Sequence, residues 1–217
     1  MTYPILDRSS VLQVLFHPRR DTNYPPSGVY SVTVEVEPGV TVGGRLYPAA
    51  AQNPAILYFH GNGETAADYD DWAEYYTQLN ITLLVMDYRG YGISKGIPTA
   101  SNLLKDAITV FNAVGSIFES HGLSPKQLYV MGRSLGSAAA IQVALHAKER
   151  LAGLIIESGF AQTFPLLARL GVVVPDADEE RDGVGNARKI SQIATRTLII
   201  HGQKDMVIPV AQALILH

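Results

Sequence analysis

The chain has 217 residues, enough for one domain with a sizeable core. Its 47% hydrophobic and 17% charged residues match an ordinary soluble protein. Seventeen basic against 20 acidic residues give a net charge of −3 with no basic block, so nucleic acid is not an expected partner, and the absence of cysteine excludes disulfides, thiolate metal sites and cysteine nucleophiles.

The first residues, "MTYPILDRSSVLQVLF", have no basic lead and only a short apolar run, so no signal peptide is read there. No apolar run is long enough to span a bilayer, and a cytoplasmic protein is expected. Residues 17–28 form a loop rich in turn formers. "VYSVTVEV" (29–36) and "VTVGGRLY" (40–47) flank the turn "EPG" and read as an antiparallel hairpin. The pattern then changes. "AILYFH" (55–60), "TLLVMDY" (82–88), "QLYVMG" (127–132), "LAGLIIES" (151–158) and "RTLIIHG" (196–202) are short, nearly continuous apolar runs, as in strands buried on both faces of a parallel sheet.

Helical patterns lie between them. Leu104, Ile108, Phe111, Val114 and Phe118 recur at helical spacing within 99–121, and Gly122 ends the run. "SLGSAAAIQVALHA" (134–147) is small and apolar, suited to a helix packed closely on a sheet. Alternating strands and helices predict an α/β fold with a doubly wound, mostly parallel sheet and an N-terminal antiparallel hairpin. Ligands of such folds bind beyond the carboxyl ends of the strands. One domain, 1–217, is expected, with 159–190 as a small cap segment.

The strongest chemical signal is Gly132-Arg133-Ser134-Leu135-Gly136, a G-x-S-x-G match between a predicted strand and a predicted helix. A serine there sits on a strained turn above the sheet, and the flanking glycines leave room where side chains would collide. The backbone N–H of Leu135 then points at a developing oxyanion, and the helix N-terminus adds partial positive charge.

With this elbow the chain resembles the α/β-hydrolase superfamily, and most of all its small, thinly capped serine-aminopeptidase-like and esterase-like members. "YFHGNGE" (58–64) resembles the family's H-G motif, which implies the N–H of Asn62 as second oxyanion donor. "DYRGYGIS" (87–94) resembles the loop that braces the site, giving Asp87 and Arg89 structural contacts. "HGQKDMVIP" (201–209) resembles the loop of the triad acid, which implies Asp205, with Glu157 as the alternative acid. His60 and His201 are expected to be structural.

A triad needs a base within reach of Ser134, and in this fold the histidine follows the acid. Twelve residues, 206–217, lie beyond Asp205. A parallel crossover takes about a dozen residues before its strand begins. His217 is therefore a weak candidate base, and His17, His121 and His146 are weaker by position. The last helix and strand of the fold are expected to be missing, through truncation or as a natural end. The strand "RTLII" would then be an open edge available for homodimer pairing.

The expected function is hydrolysis of an ester, thioester or amide by Ser134, crippled by the absent histidine, on a small-molecule acyl substrate. No metal or organic cofactor is implied. Phe160, Phe164, Leu166, Leu167 and Leu170 are expected either to roof an acyl pocket or to form ordinary core of the cap. A perhydrolase or dienelactone-type activity would use the same groups. The alternative from another class is a non-catalytic binding protein on the same scaffold.

Overall fold

The apolar runs become adjacent strands because each buries both of its faces. In the computed structural model, which describes residues 2–217, they are β3 (Ala55–Phe59), β4 (Thr82–Met86), β5 (Leu128–Arg133), β6 (Gly153–Glu157) and β7 (Thr197–Ile200). The alternating segments form β1 (Tyr30–Glu37) and β2 (Val40–Tyr47), an antiparallel pair with valines on the buried face of β1. The seven-stranded sheet runs β1-β2-β4-β3-β5-β6-β7. β2 joins β4 antiparallel, and everything from β4 to β7 is parallel.

The chain leaves β3 for β4 on one side and later returns to β5 on the other. The order therefore reverses between β3 and β5, and a crevice opens at their carboxyl ends. That crevice positions the site.

One face of the sheet carries the main core. α3 (Ala100–Ser120) starts where the Thr99 side chain accepts the Asn102 N–H at 3.0 Å, and it buries Leu103, Leu104, Val110, Phe111, Val114 and Phe118. Arg89 fixes this helix to the loop after β4 through a forked pair with Asp106 (2.6 and 2.9 Å) and a further pair with Glu37. α4 (Gly136–Ala147) is almost wholly buried on β3, β5 and β6, which its small residues allow. α1 (Ser9–Leu15) was not read from the sequence; Val11 and Leu15 are its buried residues. The opposite face is covered over β3 and β4 by α2 (Ala73–Gln78), with Tyr58, Tyr69 and Met131 in a second cluster. Beyond it Leu198 and Ile200 of β7 are 54% and 47% exposed.

Residues 159–190 contain three short helices, α5 (Thr163–Arg169), α6 (Glu179–Asp182) and α7 (Asn186–Ile190). α7 packs on α4. α8 (Val210–Leu216) ends the chain. No helix among the described residues is long and apolar enough to cross a membrane.

α7 carries an unusual burial. Lys189 is only 4% exposed, and among the described residues no carboxylate lies within ion-pair distance of it. Burial, aided by the Arg188 charge, holds its ammonium down to about 8 from 10.5. The folded state thus binds the proton more weakly than the unfolded chain. The penalty is full below about pH 8 and fades as pH rises toward 10.5. It corresponds to roughly 3 kcal/mol. Lys189→Met is expected to stabilise the protein by about 2–3 kcal/mol at neutral pH and to flatten the rise of stability across that window. Urea unfolding of both proteins at several pH values checks this; an unchanged slope sinks it.

Candidate active site

β5 delivers the chain to Gly132 and Arg133, and α4 begins at Gly136. Between them Ser134 adopts φ +51°, a left-handed conformation that costs a non-glycine residue about 1 kcal/mol or more. The turn holds because its surroundings fix it. The Ser134 N–H donates to the Glu157 carbonyl at 2.9 Å, and the Ser134 carbonyl accepts the Ser137 N–H at 3.0 Å and the Ser137 hydroxyl at 2.6 Å. A Cβ on Gly132 would fall 2.2 Å from the Gly136 carbonyl oxygen, and one on Gly136 would fall 2.1 Å from that of Phe59. The start of α4 is therefore pressed against the end of β3, which places Leu135 beside the loop 60–64.

That loop is held by its own acid. Glu64 turns back so that its Oε2 accepts the Gly61 N–H at 2.8 Å and the Tyr69 hydroxyl at 2.7 Å, while its Oε1 pairs with Arg133. Arg133 directly precedes Ser134, so one carboxylate ties the loop to the elbow. The Tyr69 and Tyr58 hydroxyl oxygens stand 3.1 Å apart. Burial pushes both phenols up, so they stay protonated. Asn62 is held through its side chain: Oδ1 accepts from the His17 N–H and the Tyr91 hydroxyl, each at 2.8 Å. Among the described residues, neither the Asn62 N–H nor the Leu135 N–H has a protein acceptor.

Asp205 lies at the same sheet edge, in the loop from β7 to α8. Its Oδ1 accepts the N–H groups of Val207 (2.9 Å) and Ile208 (2.8 Å). Burial works to raise its carboxyl, but the Ile208 and Val207 N–H groups, with His201 and the Ser158 hydroxyl, outweigh that and hold it below the usual carboxylate value. It is an anion at neutral pH. Glu157 faces elsewhere: it pairs with Arg133 (3.4 Å) and accepts from Tyr58 (3.4 Å), lining a cleft of about 440 Å³ under Trp72. Its carboxylate is engaged on the α2 face of the sheet.

Besides His17, the chain has five histidines. His60 is fully buried, its Nδ1 2.8 Å from the Gly61 carbonyl and its Nε2 3.2 Å from Asp87 but out of line for a hydrogen bond. His201 donates from Nε2 to the Ile208 carbonyl at 2.7 Å and lies 3.7 Å from Asp205. His121 contacts the end of α3, and His146 sits edge-on to Phe111. His217 follows α8, its N–H on the Ala213 carbonyl and its side chain exposed. Among the described residues the Ser134 hydroxyl has no hydrogen-bonded partner.

Of the two readings of the cap residues, Phe160, Leu166 and Leu167 follow the core one: they are buried in the main core, with Phe164 packed against it and Leu170 partly exposed. The sequence reading missed Glu64, Arg133, Tyr91 and His17. Glu64 left a local signal, an acid three residues after a turn glycine. His17 left none, being 45 residues from its partner.

Residues 50–174 match the family described as serine aminopeptidase, S33. The chain belongs to this family of α/β hydrolases. Human alpha/beta hydrolase domain-containing protein 17B is 31% identical over 167 residues, 74% of this chain and 53% of that protein. Protein 17C of Xenopus tropicalis is 29% identical over 168 residues, 75% and 50% of the two chains. The chain spans about half the length of the curated relatives it matches. Among solved structures, the Pyrococcus furiosus esterase Pf2001 aligns with a TM-score of 0.71 at 17% identity, over 93% of this chain and 82% of that one. Acetyl xylan esterase 1 from Thermoanaerobacterium aligns at 0.68 and 16% identity, over 94% and 80%. These likenesses share the fold. The segment Gly132–Gly136 and the H-G loop lie inside the matched segment, while Asp205 falls outside it.

Proposed function

We propose that this protein is a serine hydrolase of carboxylic esters, thioesters or amides, acting on a small-molecule acyl substrate, in the cytoplasm. The observation that carries the reading is Ser134 at φ +51° between two glycines that admit no side chain. Backbone strain held at the carboxyl end of a central strand, in the turn that starts a buried helix, supports a functional role for this hydroxyl. The Ser134 oxygen attacks the carbonyl carbon and its proton passes to solvent, while the N–H groups of Leu135 and Asn62 take up the charge on the carbonyl oxygen. The bond to the alcohol, thiol or amine then breaks, that group leaves protonated, and water cleaves the acyl-enzyme to restore the hydroxyl and release the acid. Asp205, ionised and braced by two backbone N–H groups, is the acid that orients a base. No base is hydrogen-bonded to Ser134 among the described residues, so this form is a slow enzyme. The esterase names of two structures with the same fold agree with acyl chemistry.

The test is a saturating fluorophosphonate probe followed by intact-mass and peptide mass spectrometry. An adduct confined to Ser134, accumulating over about a day and absent from Ser134→Ala, is expected. Equal labelling of both proteins, or an adduct elsewhere, sinks the assignment.

A binding role on the same scaffold has one observation in its favour. Among the described residues β7 has a partner only in β6. Its Leu198 and Ile200 are exposed on the face that α2 leaves uncovered. An unpaired apolar edge is a template for a second copy of the chain. Concentration-dependent dimerisation is expected in analytical ultracentrifugation, and Ile200→Lys is expected to weaken it at least tenfold by about 1.4 kcal/mol or more. A wild-type monomer at high concentration rules the pairing out.

A further inference from the structure

His17 lies outside every motif of the elbow, yet it is bonded to the side chain of the loop's central residue. Its Nδ1 stands 2.8 Å from the Asn62 Nδ2. The orientation of that carboxamide is fixed by its other end, because Oδ1 faces the His17 backbone N–H at 2.8 Å, which can only donate. Nδ2 is therefore the donor and the imidazole Nδ1 the acceptor, with the ring proton on Nε2. Tyr91, fully buried, closes the cluster: its hydroxyl accepts the His17 N–H and donates to Asn62 Oδ1, both at 2.8 Å.

We infer that His17 is a positioning residue for the loop 60–64, a latch that holds Asn62 while its ring is neutral and lets go when the ring is protonated. The chemistry is direct. A proton on Nδ1 would set one N–H against another, and the bond to Asn62 is lost. His17 is exposed, so solvent protons reach it.

The other ionisable groups around it are engaged elsewhere. On its own segment Arg19 pairs with Asp68, and Arg20 donates to the Ser94 carbonyl. On the loop it holds, Glu64 pairs with Arg133. Across Tyr91, His60 packs ring to ring at 5.5 Å, and Asp87 accepts the Ala66 N–H. None of them offers His17 a replacement bond. The inference rests on the hydrolase reading only for what the loop does, since the latch itself is a property of the folded chain.

The test uses the ¹⁵N-labelled 217-residue protein and its variants in a pH series, with protonation of His17 read from its own ring signals. In the wild type the Asn62 carboxamide signals should move together with the His17 ring signals. In His17→Asn, whose Oδ1 occupies the place of Nδ1 and accepts at every pH, they should stop moving. His17→Ala should speed amide exchange at Gly61 and Gly63 about fivefold, as loss of one hydrogen bond does, and His17→Asn should restore it. An Asn62 carboxamide that ignores the His17 titration, or exchange that His17→Ala leaves unchanged, overturns the latch. Probe labelling of Ser134 is a separate measurement, so a failed hydrolase reading would leave the latch result standing, and the reverse.

Discussion

Gly136→Ala is expected to unfold the protein or to remove most of its stability. The added Cβ would lie 2.1 Å from the Phe59 carbonyl oxygen, 2.6 Å from the Phe59 carbonyl carbon and 2.7 Å from the His60 carbonyl oxygen. All three atoms are backbone, at the end of a central strand, and none can swing aside as a side chain would. Relief needs α4 to lift off β3, and α4 is almost wholly buried between the sheet, α3 and α7. Overpacking with a flexible neighbour costs about 1–3 kcal/mol, and this case exceeds that range, at about 5 kcal/mol. Domains of this size hold about 5–15 kcal/mol in total. Gly115→Ala is the control. It lies within α3, its Cβ would meet nothing within 4 Å, and alanine there favours the helix by about 1 kcal/mol. The two substitutions are chemically the same and should have opposite signs in urea titrations followed by circular dichroism. A Gly136→Ala protein within 1 kcal/mol of wild type would mean that α4 does not press on β3.

The same glycine shows why so much of the fold was legible. Gly132 and Gly136 sit four residues apart in the sequence and also meet in space, so a local pattern reported a tertiary contact. The parallel strands were legible for a related reason: burial on both faces removes polar residues from Leu57, Leu84 and Val130 alike, and continuous apolar runs result. The weaker elements were hidden. α2 is a six-residue helix whose Tyr75, like the flanking Trp72 and Leu79, faces solvent, so it shows no apolar stripe. The cap residues stay open in the sequence because an apolar segment reads alike whether it lines a pocket or fills a core, and packing decides for Phe160 and Leu167. At the site, contacts within a motif were readable and contacts between distant segments were not. Glu64 reaching Arg133 and His17 reaching Asn62 are both of the second kind.

Imidazole added to the wild-type protein is expected to raise the acylation rate of Ser134 about tenfold at about 1 M. The figure follows from two magnitudes. Removing the base of a serine triad costs about a millionfold in turnover, roughly 8 kcal/mol. From a typical rate of about 10 s⁻¹ this leaves about 10⁻⁵ s⁻¹, near one event per day. A base held in place acts as if present at about 10⁵ M, so a free one at 1 M recovers about one part in 10⁵ of the full rate. That is ten times what the elbow achieves alone. The elbow can use a free base because the Ser134 hydroxyl has no hydrogen-bonded partner among the described residues, while Asp205 stands ionised at the same sheet edge. On the proposed reading Asp205→Asn should lower the rescued rate, since an ionised acid beside the base would stabilise the imidazolium that forms. Ser134→Ala should not respond to imidazole at all. Labelling of the wild type within minutes, indifferent to imidazole, would show a base already in place at Ser134, and its peptide partner would then have to be found by substituting the six histidines in turn.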